Sequence, residues 1–166
     1  MIVEGTHGFA GSVGVVWEML LDPAVIATAT PGTREMRRVA PERYEGQMRL
    51  GLGPFTLEME IAIGLSDVVA PERYAMHITG AGRLATLDGH VTLRLAPDAA
   101  GTGAVLHYSG DFQVGGAAAA LGRHVLEPVG QLLARQGLAA LSRELDRRLL
   151  ARAPATPAGK PPAAAP

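Results

Sequence analysis

The sequence contains no cysteine, which excludes disulfides, thiolate metal ligands and a thiol nucleophile. Neither sign of charge is in excess, because 15 lysines and arginines stand against 16 aspartates and glutamates. We therefore expect no nucleic-acid partner, since such partners need a basic surface. The sequence has no uninterrupted run of about 18 apolar residues, the length needed to span a bilayer. The first residues lack the pattern of a secretory signal. These absences favour a cytoplasmic protein whose only membrane contact is peripheral.

Aromatic residues are also scarce, at 4% of the chain, although hydrophobic residues make up 48%. The interior must then be built mainly from Leu, Val, Ile, Met and Ala, which leaves few large side chains to fill space. With 166 residues, the chain is long enough for one domain with a substantial core. The composition therefore favours a core that contains a gap.

Two short helices are expected to follow a first strand at residues 2–9. Ser12 is a suitable N-cap for the first helix, which carries Trp17 on its apolar face. Asp22-Pro23 ends this helix and can begin the second, because an aspartate caps well and proline is tolerated in a first turn. Pro31-Gly32 then turns the chain into the next segment.

From Thr33 to Val114, apolar and polar residues alternate with period two, which is typical of strands with one wet face. The alternation is clearest between Phe55 and Ile63, and Gly53-Pro54 before it indicates a tight reversal. Short turns separate the apolar runs. The pattern predicts six or seven antiparallel strands that follow one another along the chain.

After the strands, the period becomes helical over residues 117–151, which predicts one long helix with an apolar stripe. Residues 153–166 are almost entirely Pro and Ala and predict a disordered tail. The folded domain is accordingly expected to span residues 1–152. The tail is either a tether to a partner or the bilayer, or an appendage with no role.

These elements predict an α+β helix-grip fold, in which a curved antiparallel sheet wraps around the long C-terminal helix. Such a sheet twists and curls, so helix and sheet meet at one end and diverge at the other. The expected result is an apolar cavity. The alternative is a solid core in which Met48, Met59 and Met76 plug the irregular space.

The candidate ligand-binding residues share the predicted inner faces of helix and sheet. They are Trp17, Met48, Leu50, Phe55, Leu57, Met59, Ile61, Met76, Ile78, Leu93, Tyr108, Phe112, Leu121, Val125, Val129 and Leu132. Tyr108 is the one polar group placed inside, where its hydroxyl would bond either a ligand carbonyl or a backbone group. Trp17 is either a core residue or part of the cavity mouth.

No catalytic set and no metal site is predicted. His77, His90 and His107 fall on the wet side of their strands, where solvated side chains are expected; the alternative is a cluster across adjacent strands that binds a metal. Glu58 and Glu60 fall on the same outer surface. A nucleophile set is not expected from His107, Ser109 and Asp111, because residues two apart on one strand project in parallel and do not converge on a substrate.

The order and spacing of a set of residues resemble the carbon monoxide dehydrogenase G-subunit family, within the START-like (SRPBCC; polyketide cyclase and lipid transport) superfamily. The resemblance covers roughly residues 2–150. It rests on Phe9, Val16-Trp17, Leu20, Asp22-Pro23, Ile26-Ala27, Pro31-Gly32, Tyr44-Glu45-Gly46, Pro71, Tyr74, the glycines near residue 80, Tyr108 and Gly115-Gly116.

The resemblance implies a helix-grip fold with an apolar cavity, no catalytic motif, and an accessory role beside a molybdenum-containing dehydrogenase. It also implies peripheral attachment to the inner face of the cell membrane. The expected ligand is menaquinone, another isoprenoid quinone or a lipid, with no covalent cofactor. The leading hypothesis is thus a non-enzymatic carrier that links the dehydrogenase to the membrane quinone pool. The alternatives are a recruitment or maturation scaffold for a molybdenum hydroxylase and a polyketide cyclase-type enzyme.

Overall fold

The structure, a computed structural model, describes residues 1–152. The predicted Pro/Ala-rich tail, residues 153–166, lies outside the described residues, and the predicted domain boundary stays a prediction. The elements are β1 (Ile2–Phe9), α1 (Val13–Leu21), α2 (Pro23–Ala29), β2 (Thr33–Ala40), β3 (Arg43–Leu52), β4 (Phe55–Val69), β5 (Arg73–Ala81), β6 (Thr86–Pro97), β7 (Ala104–Gly115), a 3-10 turn (Ala117–Leu121) and α3 (Arg123–Arg152).

The seven strands form one antiparallel sheet in the order β1-β7-β6-β5-β4-β3-β2. Strands β2 to β7 pair with their neighbours in sequence, and β1 completes the sheet beside β7. Helix α3 packs against α2 and β1. The predicted helix-grip fold is confirmed, with two short helices after β1 and a long C-terminal helix.

Local capping explains where the two short helices begin. The Ser12 hydroxyl accepts a hydrogen bond from the Val15 amide at 3.4 Å, and the Asp22 carboxylate accepts one from the Ala24 amide at 2.9 Å. Each bond satisfies an amide that has no partner within its helix. Both predicted N-caps are therefore confirmed.

Two sheet tyrosines satisfy carbonyls at the other end of α1. The Tyr44 hydroxyl donates to the Leu21 carbonyl at 2.8 Å, and the Tyr74 hydroxyl donates to the Leu20 carbonyl at 3.4 Å. These carbonyls end a helix and would otherwise lack helical donors. The two bonds fix α1 on the inner side of the sheet.

The long helix differs from the prediction in its first turns. Residues 117–151 were expected to form one helix, but Gly122 adopts a φ of 76° and separates the 3-10 turn from α3. A left-handed residue cannot continue an α-helix, and glycine adopts this conformation without steric cost. The buried residues of α3 all lie between Gly137 and Leu145, so its C-terminal half packs most closely.

Within residues 1–152, no helix is both long and apolar enough to cross a membrane.

Candidate functional site: an apolar cavity between helix and sheet

A partly enclosed cavity of about 370 Å³ lies between α3, α2 and the inner face of the sheet. Its size falls within the range of about 300–1,000 Å³ that is typical of small-molecule sites. The buried core divides into two clusters, one around Trp17 and Leu145 and one around Tyr44 and Ile61. Members of both clusters contribute to the cavity wall, so the cavity interrupts the core.

The sheet provides one side of the cavity through alternate residues of its strands. These residues point inward because side chains on a strand alternate between the two faces. They are Val3, Met36, Met48, Leu50, Leu52, Leu57, Met59, Ile61, Ile63, Tyr74, Met76, Ile78, Leu87, Val91, Leu93, Leu106, Tyr108, Gly110, Phe112 and Val114.

Helix α3 provides the opposite side through residues spaced three or four apart. This spacing places them on one helical face. They are Leu126, Val129, Gly130, Leu133, Ala134, Gly137, Leu138 and Leu141. Leu20 of α1, and Val25, Ile26 and Ala29 of α2, close a further part of the wall.

Eleven of the candidate residues lie in this wall. They are Met48, Leu50, Leu57, Met59, Ile61, Met76, Ile78, Leu93, Tyr108, Phe112 and Val129. Their position agrees with the predicted inner faces, and their contact with a ligand stays a prediction.

The other five candidate residues lie outside the wall. Trp17 is buried and packs edge-on against Tyr74, with ring centroids 5.4 Å apart, so it belongs to the core. Phe55 is 48% exposed at the β3–β4 hairpin, while Val125 and Leu132 are 43% and 46% exposed. Leu121 ends the 3-10 turn. The expectation that these side chains line the cavity is corrected accordingly.

Several wall residues were not among the candidates. Gly130, Ala134 and Gly137 lie on the inner face of α3, but small residues do not mark an apolar stripe. Met36 lies on β2, where pairing with β3 is irregular between Arg34 and Arg37 and the period of two is broken. Leu52, Leu87 and Val114, in contrast, could have been found by extending the alternation of their own strands.

Phe112 lies flat against the sheet because two glycines leave room for its ring. Gly89 is paired with Phe112 across β6 and β7, and a Cβ on Gly110 would lie 2.6 Å from the ring. A side chain at either glycine would push the ring away from the sheet. The glycines therefore help to keep the space above the sheet open.

Tyr108 differs from the other two tyrosines in its surroundings. Its hydroxyl lies above Gly5 of β1, where a Cβ would come within 2.7 Å of the oxygen. Among residues 1–152, none of the side-chain hydrogen bonds involves this hydroxyl, whereas those of Tyr44 and Tyr74 donate to backbone carbonyls. Tyr108 therefore retains a hydroxyl that is available to a molecule in the cavity.

The wall formed by the described residues contains no Asp, Glu, His, Lys or Arg. Its polar side chains are Thr30, Thr86, Tyr74 and Tyr108. Burial raises the pKa of the Tyr74 phenol, which keeps it neutral. The cavity can therefore solvate a hydrocarbon and offer a hydroxyl, and none of the side chains in the described wall is ionised.

The polar candidates considered from the sequence lie on the outer face of the sheet. Glu58 pairs with Arg49 at 3.5 Å, and Glu60 accepts a hydrogen bond from Gln47 at 3.2 Å. His77, Asp88 and His90 lie together on β5 and β6, also exposed to solvent. None of these groups reaches the cavity.

A seven-stranded sheet, a long C-terminal helix and an apolar cavity between them define a START-like helix-grip protein, a ligand-binding fold. Residues 10–146 match the sequence profile of CoxG, the G subunit of carbon monoxide dehydrogenase. The chain belongs to this family. Among curated proteins, no sequence matches the chain significantly.

Solved structures share the fold at low sequence identity. A conserved protein from Geobacillus kaustophilus is 22% identical, with a TM-score of 0.82 over 89% of this chain and 96% of that one. The Zhui aromatase/cyclase from Streptomyces sp. R1128 is 20% identical, with a TM-score of 0.62 over 90% and 95%. A Thermus thermophilus protein is 12% identical, with a TM-score of 0.67 over 89% and 99%.

Proposed function

We propose that this protein is a non-enzymatic carrier that binds menaquinone, another isoprenoid quinone or a similar lipid in its cavity. The observation that carries the proposal is the aliphatic wall around a space of about 370 Å³. Burial of apolar surface contributes about 25 cal/mol per Å². A prenyl or acyl chain would therefore gain affinity from the wall without many polar contacts.

Tyr108 would supply the polar contact of such a ligand. Its hydroxyl makes no hydrogen bond within the described residues and can donate to a quinone carbonyl. Hydrogen bonds of this kind orient a ligand more than they strengthen its binding. The absence of acidic and basic groups from the described wall supports a carrier over a catalyst that transfers protons.

The partner we propose is a molybdenum-containing dehydrogenase such as carbon monoxide dehydrogenase. The support is membership in a family described as a subunit of that enzyme. Bound quinone would accept electrons from the dehydrogenase and connect it with the membrane pool.

Peripheral membrane contact would occur at the end of the sheet that bears the β3–β4 and β5–β6 hairpins. Phe55 and Leu84 are 48% and 39% exposed at these hairpins. Arg83 precedes Leu84 in sequence, and the wall residues Leu52 and Leu87 belong to the same end. Exposed apolar side chains beside basic ones suit the surface of an anionic bilayer.

The first experiment is native mass spectrometry of the full chain, followed by organic extraction and analysis of the extract. We expect one quinone or lipid molecule per chain. A protein that remains empty in the presence of menaquinone vesicles, yet binds the dehydrogenase, would instead support the scaffold function.

A matched pair of variants tests whether the ligand occupies the cavity. Val129 lines the wall, whereas Val125, one turn earlier on α3, is exposed. Val129→Trp should fill the cavity and reduce menaquinone uptake at least about tenfold, while Val125→Trp should leave uptake unchanged. Equal uptake by the two variants would contradict the proposed site.

Membrane contact is tested by flotation with vesicles of phosphatidylglycerol and phosphatidylcholine. Phe55→Glu and Leu84→Glu should reduce the bound fraction. Val39→Glu is the control, because Val39 is 45% exposed at the opposite end of the sheet. An equal loss for the control would show that the hairpin end is not the contact surface.

A cyclase-type enzyme is the second candidate, and the shared fold of the aromatase/cyclase together with the free Tyr108 hydroxyl favours it. Turnover of an aromatic polyketide by the wild type, and its loss in Tyr108→Phe, would establish this activity. Quinone uptake without any such turnover would favour the carrier.

A further inference from the structure

Three side chains of types that can ligate a metal meet on the outer face of the sheet, opposite the cavity. His77 of β5 is directly paired with His90 of β6, and Asp88 lies two residues before His90 on the same face. The Asp88 carboxylate lies 3.1 Å from His77 Nε2 through Oδ2 and 3.5 Å from His90 Nδ1 through Oδ1. One ligand atom from each residue fits within a span of 4.8 Å.

We propose that His77, Asp88 and His90 form a binding site for a divalent transition-metal ion such as Zn²⁺. Imidazole nitrogens and a carboxylate oxygen are ligands typical of zinc, whereas Ca²⁺ and Mg²⁺ prefer oxygen alone. Tetrahedral zinc with bonds of about 2.0–2.1 Å needs ligand atoms about 3.3 Å apart. The Asp88 carboxylate already lies within a similar distance of each ring, at 3.1 Å from His77 through Oδ2 and at 3.5 Å from His90 through Oδ1.

The backbone holds the three residues in place before any ion binds. Hydrogen bonding between β5 and β6 extends on both sides of the pair, from Arg73 opposite Arg94 to Ala81 opposite Thr86. The two imidazole rings stack with centroids 4.4 Å apart. Because the strand pairing fixes the backbones, directing both rings at one ion needs rotation of the side chains but no movement of the strands.

The site is open to solvent and has a free coordination position. The side chains of His77, Asp88 and His90 are 49%, 53% and 71% exposed. Asp111 is paired with His90 on the far side, but its carboxylate lies 3.5 Å from the Met1 amino group. Three protein ligands would thus leave the fourth position to water or to a group from another molecule.

The test is isothermal titration of the full-length protein with ZnCl₂ at neutral pH in a buffer that does not bind zinc. We expect one ion per chain with micromolar affinity, and no comparable binding of CaCl₂. His77→Ala and His90→Ala should each weaken zinc binding at least about tenfold. His107→Ala is the control, because His107 is an exposed histidine on the same outer face and should leave the affinity unchanged.

Thermal unfolding gives a second measurement on the same proteins. Zinc that joins β5 to β6 should raise the Tm of the wild type and of His107→Ala, but not that of His77→Ala. The Tm of each variant without zinc is first compared with that of the wild type without zinc. In the wild type, NMR signals of the His77 and His90 imidazoles then report zinc binding directly. Equal zinc affinity in His77→Ala and wild type, or imidazole signals unchanged by saturating zinc, would overturn the proposal.

Discussion

Arg148 near the end of α3 donates a hydrogen bond of 2.6 Å to Asp22 at the corner between α1 and α2. The same carboxylate caps α2 through the Ala24 amide, and the Arg148 guanidinium also donates to Glu144 at 2.9 Å. This charged pair therefore joins the last helix to the corner between the first two, beside the closely packed half of α3. The other half of α3 remains free to line the cavity.

Arg148→Ala should destabilise the protein, because it removes the bond between α3 and Asp22. Both side chains are partly buried, so we expect a loss of about 1–2 kcal/mol. Urea denaturation measures the free energy of unfolding. Arg143→Ala, an exposed arginine on the same helix, should change it little; an equal loss would contradict a specific role for the pair.

The stability of the protein should fall in acid. Hydrogen bonding from Arg148 holds the pKa of Asp22 below its ordinary value, and bonds from Arg147 and Arg148 lower the pKa of Glu144 to about 2. A carboxylate with a lower pKa in the folded state stabilises that state above its unfolded pKa, and this contribution is lost as pH falls.

We therefore expect the free energy of unfolding to decrease from about pH 4.5 towards pH 2, as measured by urea denaturation at stepped pH. Arg148→Ala should show a shallower decrease, because Asp22 and Glu144 each lose a donor. An unchanged slope in this variant would show that other carboxylates dominate.

Gly110→Ala should destabilise the protein by about 1–3 kcal/mol, because its Cβ would collide with the Phe112 ring. Gly51→Ala is the control, since no atom lies within 4 Å of a Cβ placed there. Combining Gly110→Ala with Phe112→Leu should recover part of the loss in thermal or urea denaturation. Additive effects would mean that the ring is not what Gly110 accommodates.

Tyr44→Phe should cost about 1–2 kcal/mol, because it leaves the Leu21 carbonyl without its donor. Tyr108→Phe should change stability by less than about 0.5 kcal/mol, because no hydrogen bond within the described residues depends on that hydroxyl. Urea denaturation of the two variants side by side makes the comparison. A similar cost for both would show that Tyr108 has a structural partner.

The sheet could be predicted from the sequence because each strand carries its own signal. Tyr44, Leu57 and Ile61 alternate with polar residues, and turns such as Gly53-Pro54 mark the reversals. The caps Ser12 and Asp22 are equally local. Because these signals depend on near neighbours in the chain, they required no knowledge of how the elements pack.

The inner face of α3 could not be assigned in the same way. Its apolar residues extend around a wide arc, so Val125 and Leu132 were as plausible as Leu126 and Leu133. Phe55 continues the alternation of β4, but its position at the hairpin leaves it in solvent. The face of a helix that covers a sheet depends on contacts between residues far apart in the chain. Local periodicity therefore does not reveal it.

The outer-face cluster depends on strand register. The sequence places His77 and His90 on the wet side, and the pairing of β5 with β6 brings them opposite each other. A shift by one residue would move one ring to the other face. Cross-strand sites of this kind therefore become visible only when the pairing is known.

Methionine is concentrated in the cavity wall: five of the six methionines, Met1, Met36, Met48, Met59 and Met76, line it. Their unbranched thioethers change rotamer easily and are polarisable. The cavity can thus adapt its shape to ligands of different length and branching at small energetic cost. The same sulfur atoms are open to oxidation, and each sulfoxide would place a strong dipole where a hydrocarbon tail must dissolve.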